Sequence, residues 1–263
     1  MSEIKYKKST YLLTAVLMLG FFDSAPATDG IDRQPVYQSI VQPHAREELS
    51  ESFCNQFDEA ARSIPDKIWS GLRQGGWQIK TCKLLVDVIP SLAGEQPRGW
   101  PDKSSWENTD AVYLPKLRLL VVAENRKSNS GDFVTNQRVA GTLRHELGHA
   151  FDMLSAHQES YRSSEFGFLT AYESDVNQLS ANDHQTLRYY LQKGQAGQQE
   201  AFAEAFGILL GGGSDQQMHN RFVEQFPHVM NYVDAAIKQY RAVPRRSSRA
   251  QLPGTRGRLL RRS

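Results

Sequence analysis

The chain has 263 residues, 40% hydrophobic and 10% aromatic, which excludes a wholly disordered polypeptide and allows one substantial core. Its net charge of +2 is unevenly divided: residues 241–263 hold eight arginines and no acid, leaving residues 1–240 with 23 basic and 29 acidic groups, a net of −6. So acidic a body argues against a dedicated nucleic-acid enzyme.

The N-terminus carries Lys5, Lys7 and Lys8, then an apolar stretch from Tyr11 to Phe22, then Ala25-Pro26-Ala27. About a dozen apolar residues are too few to span a bilayer easily, so residues 1–27 are predicted to be a cleavable signal peptide rather than an anchor. Cleavage would start the mature chain at Thr28 and deliver it to the periplasm or the exterior. The competing reading is a buried N-terminal helix. Residues 28–48 read as an extension, 49–240 as the folded domain.

Export gives meaning to the two cysteines, because an even count in an oxidising compartment permits a disulfide. Cys54 lies in the helical stretch Leu49 to Arg62, and Cys82 opens the strand-like run Cys82-Lys83-Leu84-Leu85-Val86-Asp87-Val88-Ile89. A Cys54–Cys82 bridge would pin a helix to a sheet. The connection Ala93 to Asn108 follows, with Pro97, Gly99, Trp100, Pro101 and Trp106. Its tryptophans either hold an apolar or proline-bearing peptide or cap the core beneath the loop. Leu117 to Glu124 reads as a strand near the site, either an edge to which an extended substrate adds its backbone or an interior strand.

The most informative element is the helix predicted from Val139 to Leu154, where Val139, Leu143, Leu147, Ala150 and Leu154 recur at spacings of three and four. It contains His145-Glu146-Leu147-Gly148-His149. Positions i and i+4 share a helix face, so both imidazoles reach one ion, and Glu146 beside them can take a proton from a zinc-bound water. This points to a zinc hydrolase. A catalytic zinc has three protein ligands and an open position, so a third ligand lies further along. A metzincin would place Gly and His three and six residues after His149, where this chain has Asp152 and Ser155, which excludes that subclass. His44, His157, His184, His219 and His228 have no partner at ligand spacing and read as exposed or locally bonded side chains.

The third ligand is sought in Gln199-Glu200-Ala201-Phe202-Ala203-Glu204-Ala205-Phe206-Gly207, a second helix with carboxylates at i and i+4. One carboxylate can bind the metal while the other accepts an N–H from a ligand histidine. The competing reading is a solvated glutamate row. Against it, Ala201 to Leu210 is otherwise apolar or small, with no Lys or Arg one turn on.

With these residues in view, the chain resembles the zinc peptidase domain of anthrax lethal factor and the related secreted Pro-Pro endopeptidases. The resemblance is carried by His145-Glu146-Leu147-Gly148-His149-Ala150 and, more specifically, by Glu200-Ala201-Phe202-Ala203-Glu204-Ala205-Phe206. It implies one Zn2+ per chain held by His145, His149 and Glu200 in a gluzincin-type arrangement, with Glu204 supporting a ligand from behind and Glu146 as general base. It also implies a tyrosine shortly before the third ligand that stabilises the oxyanion. Tyr189 and Tyr190, eleven and ten residues before Glu200, are the residues on offer, and Tyr190 is the one chosen; either also reads as a packing residue.

The implied fold is α+β and zincin-like, a small mixed sheet packed on the HExxH helix with a mostly helical C-terminal half. The implied activity is a secreted or periplasmic metalloendopeptidase, expected to be a monomer, acting on a protein or peptide. Two alternatives stand beside it, an exported effector peptidase acting on a foreign protein and a non-catalytic zinc-binding protein. Residues 241–263, rich in Arg, Ser, Pro and Gly, bury too little apolar area to fold alone and read as a disordered tail able to make weak contact with anionic envelope surfaces.

Overall fold

The computed structural model describes residues 35–43, 49–97, 105–154, 160–212 and 216–240. Residues 1–27, read above as a signal peptide, the Arg-rich tail, His44, Trp100 and His157 lie outside them. The described structure starts inside the stretch taken as an extension. Tyr37 and Ile40 are buried, Tyr37 packs on Trp69 at 5.8 Å, and β1 (Val41–Pro43) joins the sheet, so a domain boundary at residue 49 falls too late.

Ser50 starts α1 (Glu51–Ser63) by accepting the Phe53 N–H on its hydroxyl at 3.2 Å, and Glu51 and Arg62 suit the two ends of the helix dipole. Phe53, Phe57, Ala60 and Ala61 form its buried stripe. Helix α2 (Asp66–Gly75) ends at Gly76, whose φ of 77° supplies the left-handed turn into β2 (Gln78–Cys82).

The strand expected to open at Cys82 therefore closes there. Leu85–Val88 is instead a short helix, α3, because the Asp87 carboxylate accepts the Leu84 N–H at 2.9 Å and holds a helical turn.

The remaining strands are β3 (Ala111–Leu114), β4 (Leu119–Ala123) and the hairpin β5 (Asn125–Lys127) with β6 (Phe133–Thr135). The four-stranded sheet has the order β1-β2-β4-β3. Its first two pairings are parallel and β3–β4 is antiparallel, with Tyr113 opposite Leu120 and Leu114 opposite Leu119. The strand read at Leu117 to Glu124 is thus interior, and β3 holds the edge.

Side chains alternate cleanly across this sheet. Ile79, Leu120, Val122, Ala111 and Tyr113 face the main core, while Cys82, Val112, Val121 and Ala123 face a smaller cluster with Leu85. Cys54 packs on the main core. The expected Cys54–Cys82 bridge does not form: both thiols are free, and the sheet lies between them.

Helix α4 (Val139–Asp152) follows the hairpin, and the helical C-terminal half comprises α5 (Phe166–Val176), α6 (Ala181–Thr186), α7 (Gln195–Leu209), α8 (Gln216–Gln225) and α9 (Pro227–Gln239). Asp175 caps α9, accepting the Val229 N–H at 2.9 Å and pairing with the His228 ring at 2.6 Å. Buried Arg144 ties α4 to its surroundings, with Nε on the Ser63 hydroxyl and a guanidinium N–H on the Gly212 carbonyl, both at 3.0 Å. The architecture is α+β, a small mixed sheet packed on α4 with helices after it.

Candidate metal centre

α4 and α7 lie against each other because each has a small residue where the other comes closest. A Cβ on Gly148 would sit 2.7 Å from the Ala203 Cα, so the backbones meet with no side chain between them. Around that contact Leu147, Ala150 and Phe151 pack against Phe202 and Phe206, Phe151 and Phe206 having ring centroids 5.1 Å apart. The close approach turns the polar edge of each helix into one cleft, with His145 and His149 facing Glu200 and Glu204.

The geometry in that cleft is specific. His145 Nε2 lies 3.2 Å and His149 Nε2 3.3 Å from the same Glu200 oxygen, and His145 Nδ1 lies 3.1 Å from Glu204 Oε2. One donor atom from each of His145, His149 and Glu200 falls within 4.8 Å of the others, and no further such group of His, Cys, Asp and Glu occurs among the described residues. Ligands about 2.0–2.1 Å from a tetrahedral zinc are separated from one another by roughly 3.3 Å. The nitrogen-to-oxygen spacings therefore suit that ion.

The tautomers agree: with Glu204 accepting from Nδ1–H of His145, its Nε2 lone pair is left for a metal. Two nitrogens and a carboxylate oxygen are also a borderline-soft donor set of the kind zinc takes. The residues present fit a zinc ion.

The electrostatics of the cleft suit a cation. Burial pushes Glu200 up, but hydrogen bonds from the two histidines outweigh it and hold the carboxyl well below its usual range. Burial likewise opposes charge on His145, yet Glu200 and Glu204 raise that ring well above an ordinary imidazole. Glu146 moves the other way, raised chiefly by burial and also by Glu200, against the pull of both histidines. It lines the cleft beside them.

The tyrosine pair lies on a 3-10 turn, Arg188–Leu191, pressed against the start of α7. A Cβ at Gly197 would come within 2.7 Å of the Tyr190 carbonyl oxygen. Burial, with Glu200 and Glu204 nearby, disfavours ionisation of both hydroxyls, and both residues line the cleft. Tyr190, chosen from sequence, is 7% exposed and packs on Phe222 at 4.9 Å, whereas Tyr189 is 38% exposed. Of the two, Tyr189 is the more open to the cleft.

Sequence reasoning missed Tyr113, Trp77 and Tyr161. Tyr113 stacks on His149 at 5.3 Å, and both Tyr113 and Tyr161 line the cleft. Asp152, three residues past His149, is fully buried and accepts from the Ser163 N–H at 2.7 Å and its hydroxyl at 2.6 Å. Burial nevertheless pushes its carboxyl up to about 6. Trp106 packs on the smaller core cluster, as the core-capping reading expected, and also lines the cleft. His184, His219 and His228 stay outside the metal group.

The cleft measures about 660 Å³. Ala111, Val112 and Tyr113 of the edge strand β3 line it, as does Gln199 of α7.

The comparisons agree with this picture. The model of a family described as anthrax toxin lethal factor, N- and C-terminal domain, matches residues 32–235. Among solved structures the chain is similar to the Pro-Pro endopeptidase PPEP-2 from Paenibacillus alvei, with a TM-score of 0.53 and 21% identity over 76% of this chain and 98% of that one. The likeness shows a shared zincin-like fold. No curated protein matches in sequence.

Proposed function

Because the chain belongs to the anthrax toxin lethal factor family, we propose that it is a zinc-dependent metalloendopeptidase cleaving peptide bonds in protein or peptide substrates. One observation carries the reading: the His145 and His149 Nε2 atoms converge on one Glu200 oxygen at 3.2 and 3.3 Å, with Glu146 beside them in an open cleft. Zinc bound there supplies Lewis acidity, polarising the scissile carbonyl and acidifying the attacking water.

The chain's own groups do the rest. Glu146, its pKa raised by burial, accepts the proton of the attacking water and returns it to the leaving amine. Tyr189, held neutral by burial and the nearby carboxylates, donates its O–H to the developing oxyanion. Glu204 keeps the His145 ring in the tautomer that leaves Nε2 free. The free edge of β3 offers backbone N–H and C=O groups to an extended peptide in the cleft that Gln199 also lines.

Residues 1–27 are proposed to direct export to the periplasm or exterior, on the strength of their basic start, apolar run and Ala25-Pro26-Ala27. The chain is further proposed to act as a monomer, its Arg-rich tail touching anionic envelope surfaces only weakly.

A peptide library that includes proline-proline sequences, incubated with the zinc-loaded chain and read by mass spectrometry, tests the activity. Cleavage that stops on chelation and resumes with zinc is the expected result. Uncleaved peptides throughout, with zinc bound, would favour the non-catalytic zinc protein.

A further inference from the structure

We propose that Trp77 and Tyr113 form a stacked aromatic plate that positions His149 as a metal ligand, and that Tyr113 thereby couples the edge strand to the metal. The inference rests on the zinc reading above and assigns to these two residues a role that the reading does not contain. Trp77 and Tyr113 lie with ring centroids 5.4 Å apart and planes 14° from parallel, and Tyr113 lies over His149 at 5.3 Å and 26°. Three rings thus stack in sequence from the core to the ligand. Each contact falls in the range where aromatic pairs attract beyond their buried area.

The two ligand histidines are held differently. His145 has Glu204 on its Nδ1 at 3.1 Å, a hydrogen bond that fixes ring rotation. Among the described residues the carboxylate paired with His149 is Glu200, on the metal-facing nitrogen, and the nearby acid Asp152 is taken up by Ser163. The ring torsion of a histidine is broad and roughly two-fold, so covalent preference alone does not aim Nε2. A flat plate against the ring face removes that freedom.

The plate is itself anchored. Trp77 is buried and its backbone N–H donates to the Leu72 carbonyl in α2 at 3.0 Å, while a Cβ at Gly75 would already press on the indole at 3.0 Å. Tyr113 is locked into the sheet opposite Leu120. Its hydroxyl is buried with no geometric hydrogen bond among the described residues, and Tyr161 is its polar neighbour in the cleft wall. The position therefore uses the face of the ring. Because Tyr113 belongs to the strand proposed to carry substrate, a shift of that strand moves the plate against His149.

The test uses the full chain with Tyr113→Phe, Tyr113→Leu and Trp77→Leu. Zinc affinity is read by competition with a chromophoric chelator, ligand geometry by the visible spectrum of the cobalt-substituted protein, and folding by thermal denaturation. Tyr113→Phe should keep affinity within about twofold and an unchanged cobalt spectrum. Tyr113→Leu should weaken zinc about tenfold or more and alter the spectrum, the range seen when groups supporting a metal ligand are removed. Trp77→Leu, which leaves the cleft untouched, should weaken zinc in the same direction.

Unchanged zinc affinity and cobalt spectrum in folded Tyr113→Leu would overturn the inference. So would an unaltered Trp77→Leu should Tyr113→Leu fail to fold, and so would a Tyr113→Phe as impaired as the Leu variant. Failure of the unaltered chain to bind zinc would remove the reading as well as the inference. Zinc bound equally well by the unaltered chain and both Leu variants would remove the inference alone.

Discussion

Gly148 and Ala203 are where α4 and α7 meet backbone to backbone: a Cβ at 148 would lie 2.7 Å from the Ala203 Cα and 2.8 Å from its carbonyl oxygen. The separation of His145 and His149 from Glu200 is set by this contact, since all three side chains project from helices fixed there.

Gly148→Ala is therefore expected to destabilise. In an exposed helix interior the same change gains up to about 1 kcal/mol from propensity. Here the methyl meets main-chain atoms that cannot rotate away, and the loss should be about 2 kcal/mol or more. Denaturant unfolding of the metal-free protein checks the sign, and the same variant should bind zinc less tightly because the ligand helices are pushed apart.

The metal-free chain should have a distinctive dependence on pH. His145 titrates well above the ordinary imidazole, so its stabilising contribution is complete below about 6.5 and fades as pH rises through the raised value. Glu200 titrates below the ordinary carboxyl, so its contribution is complete above about 4.3 and is lost as pH falls through the lowered value. The two together favour the metal-free fold most between those limits. Zinc requires the deprotonated ring, so its affinity should climb as pH rises from about 6 to 8, with protons released on binding. Calorimetry in buffers of different ionisation enthalpy measures that release.

Tyr189→Phe should lower kcat by about 10²-fold, as expected when an oxyanion donor is lost, while leaving zinc affinity nearly intact. Tyr190→Phe should leave kcat closer to that of the unaltered enzyme, since Tyr190 is buried and packed on Phe222 whereas Tyr189 is the more exposed of the two. Comparing kcat for the two variants on one peptide separates them; an inert Tyr189 would return the role to Tyr190.

Both cysteines should be recovered as thiols from unreduced protein. Cys82 is buried and its thiol is pushed up to about 12, mainly by desolvation, so alkylating reagents should modify Cys54 first and reach Cys82 only on unfolding. Intact-mass analysis after alkylation under denaturing conditions counts them.

What was legible in the sequence follows the strength of local signals. Helix α4 declared itself because Val139, Leu143, Leu147 and Ala150 repeat at helical spacing around His145 and His149, and α7 because its two glutamates stood unpaired in an apolar run. Strand β2 is only five residues long and carries Gln78, Lys80 and Thr81 among its members, so the longer apolar run beyond Cys82 drew the assignment instead. That run became a helical turn through the one bond from Leu84 to Asp87. The cysteine pairing went astray by parity: Cys82 stands three residues after Ile79, which puts it on the other face of the sheet from the core that holds Cys54. The part of Tyr113 was invisible because no local pattern links it to His149, 36 positions on; the stack exists only once β3 lies along α4. Likewise the choice between Tyr189 and Tyr190 depends on how a 3-10 turn packs on α7, which spacing along the chain does not encode.

The central claim is that His145, His149 and Glu200 hold one zinc ion that Glu146 puts to use. Its most direct test is zinc content, measured by atomic emission alongside peptide hydrolysis, in the unaltered chain and in Glu146→Gln, His149→Ala and Glu200→Ala. The account predicts one zinc per chain with hydrolysis in the first, zinc retained with hydrolysis lost in Glu146→Gln, and zinc and hydrolysis lost together in the other two. Full hydrolysis by Glu146→Gln, or stoichiometric zinc in a chain lacking His149 or Glu200, would contradict it.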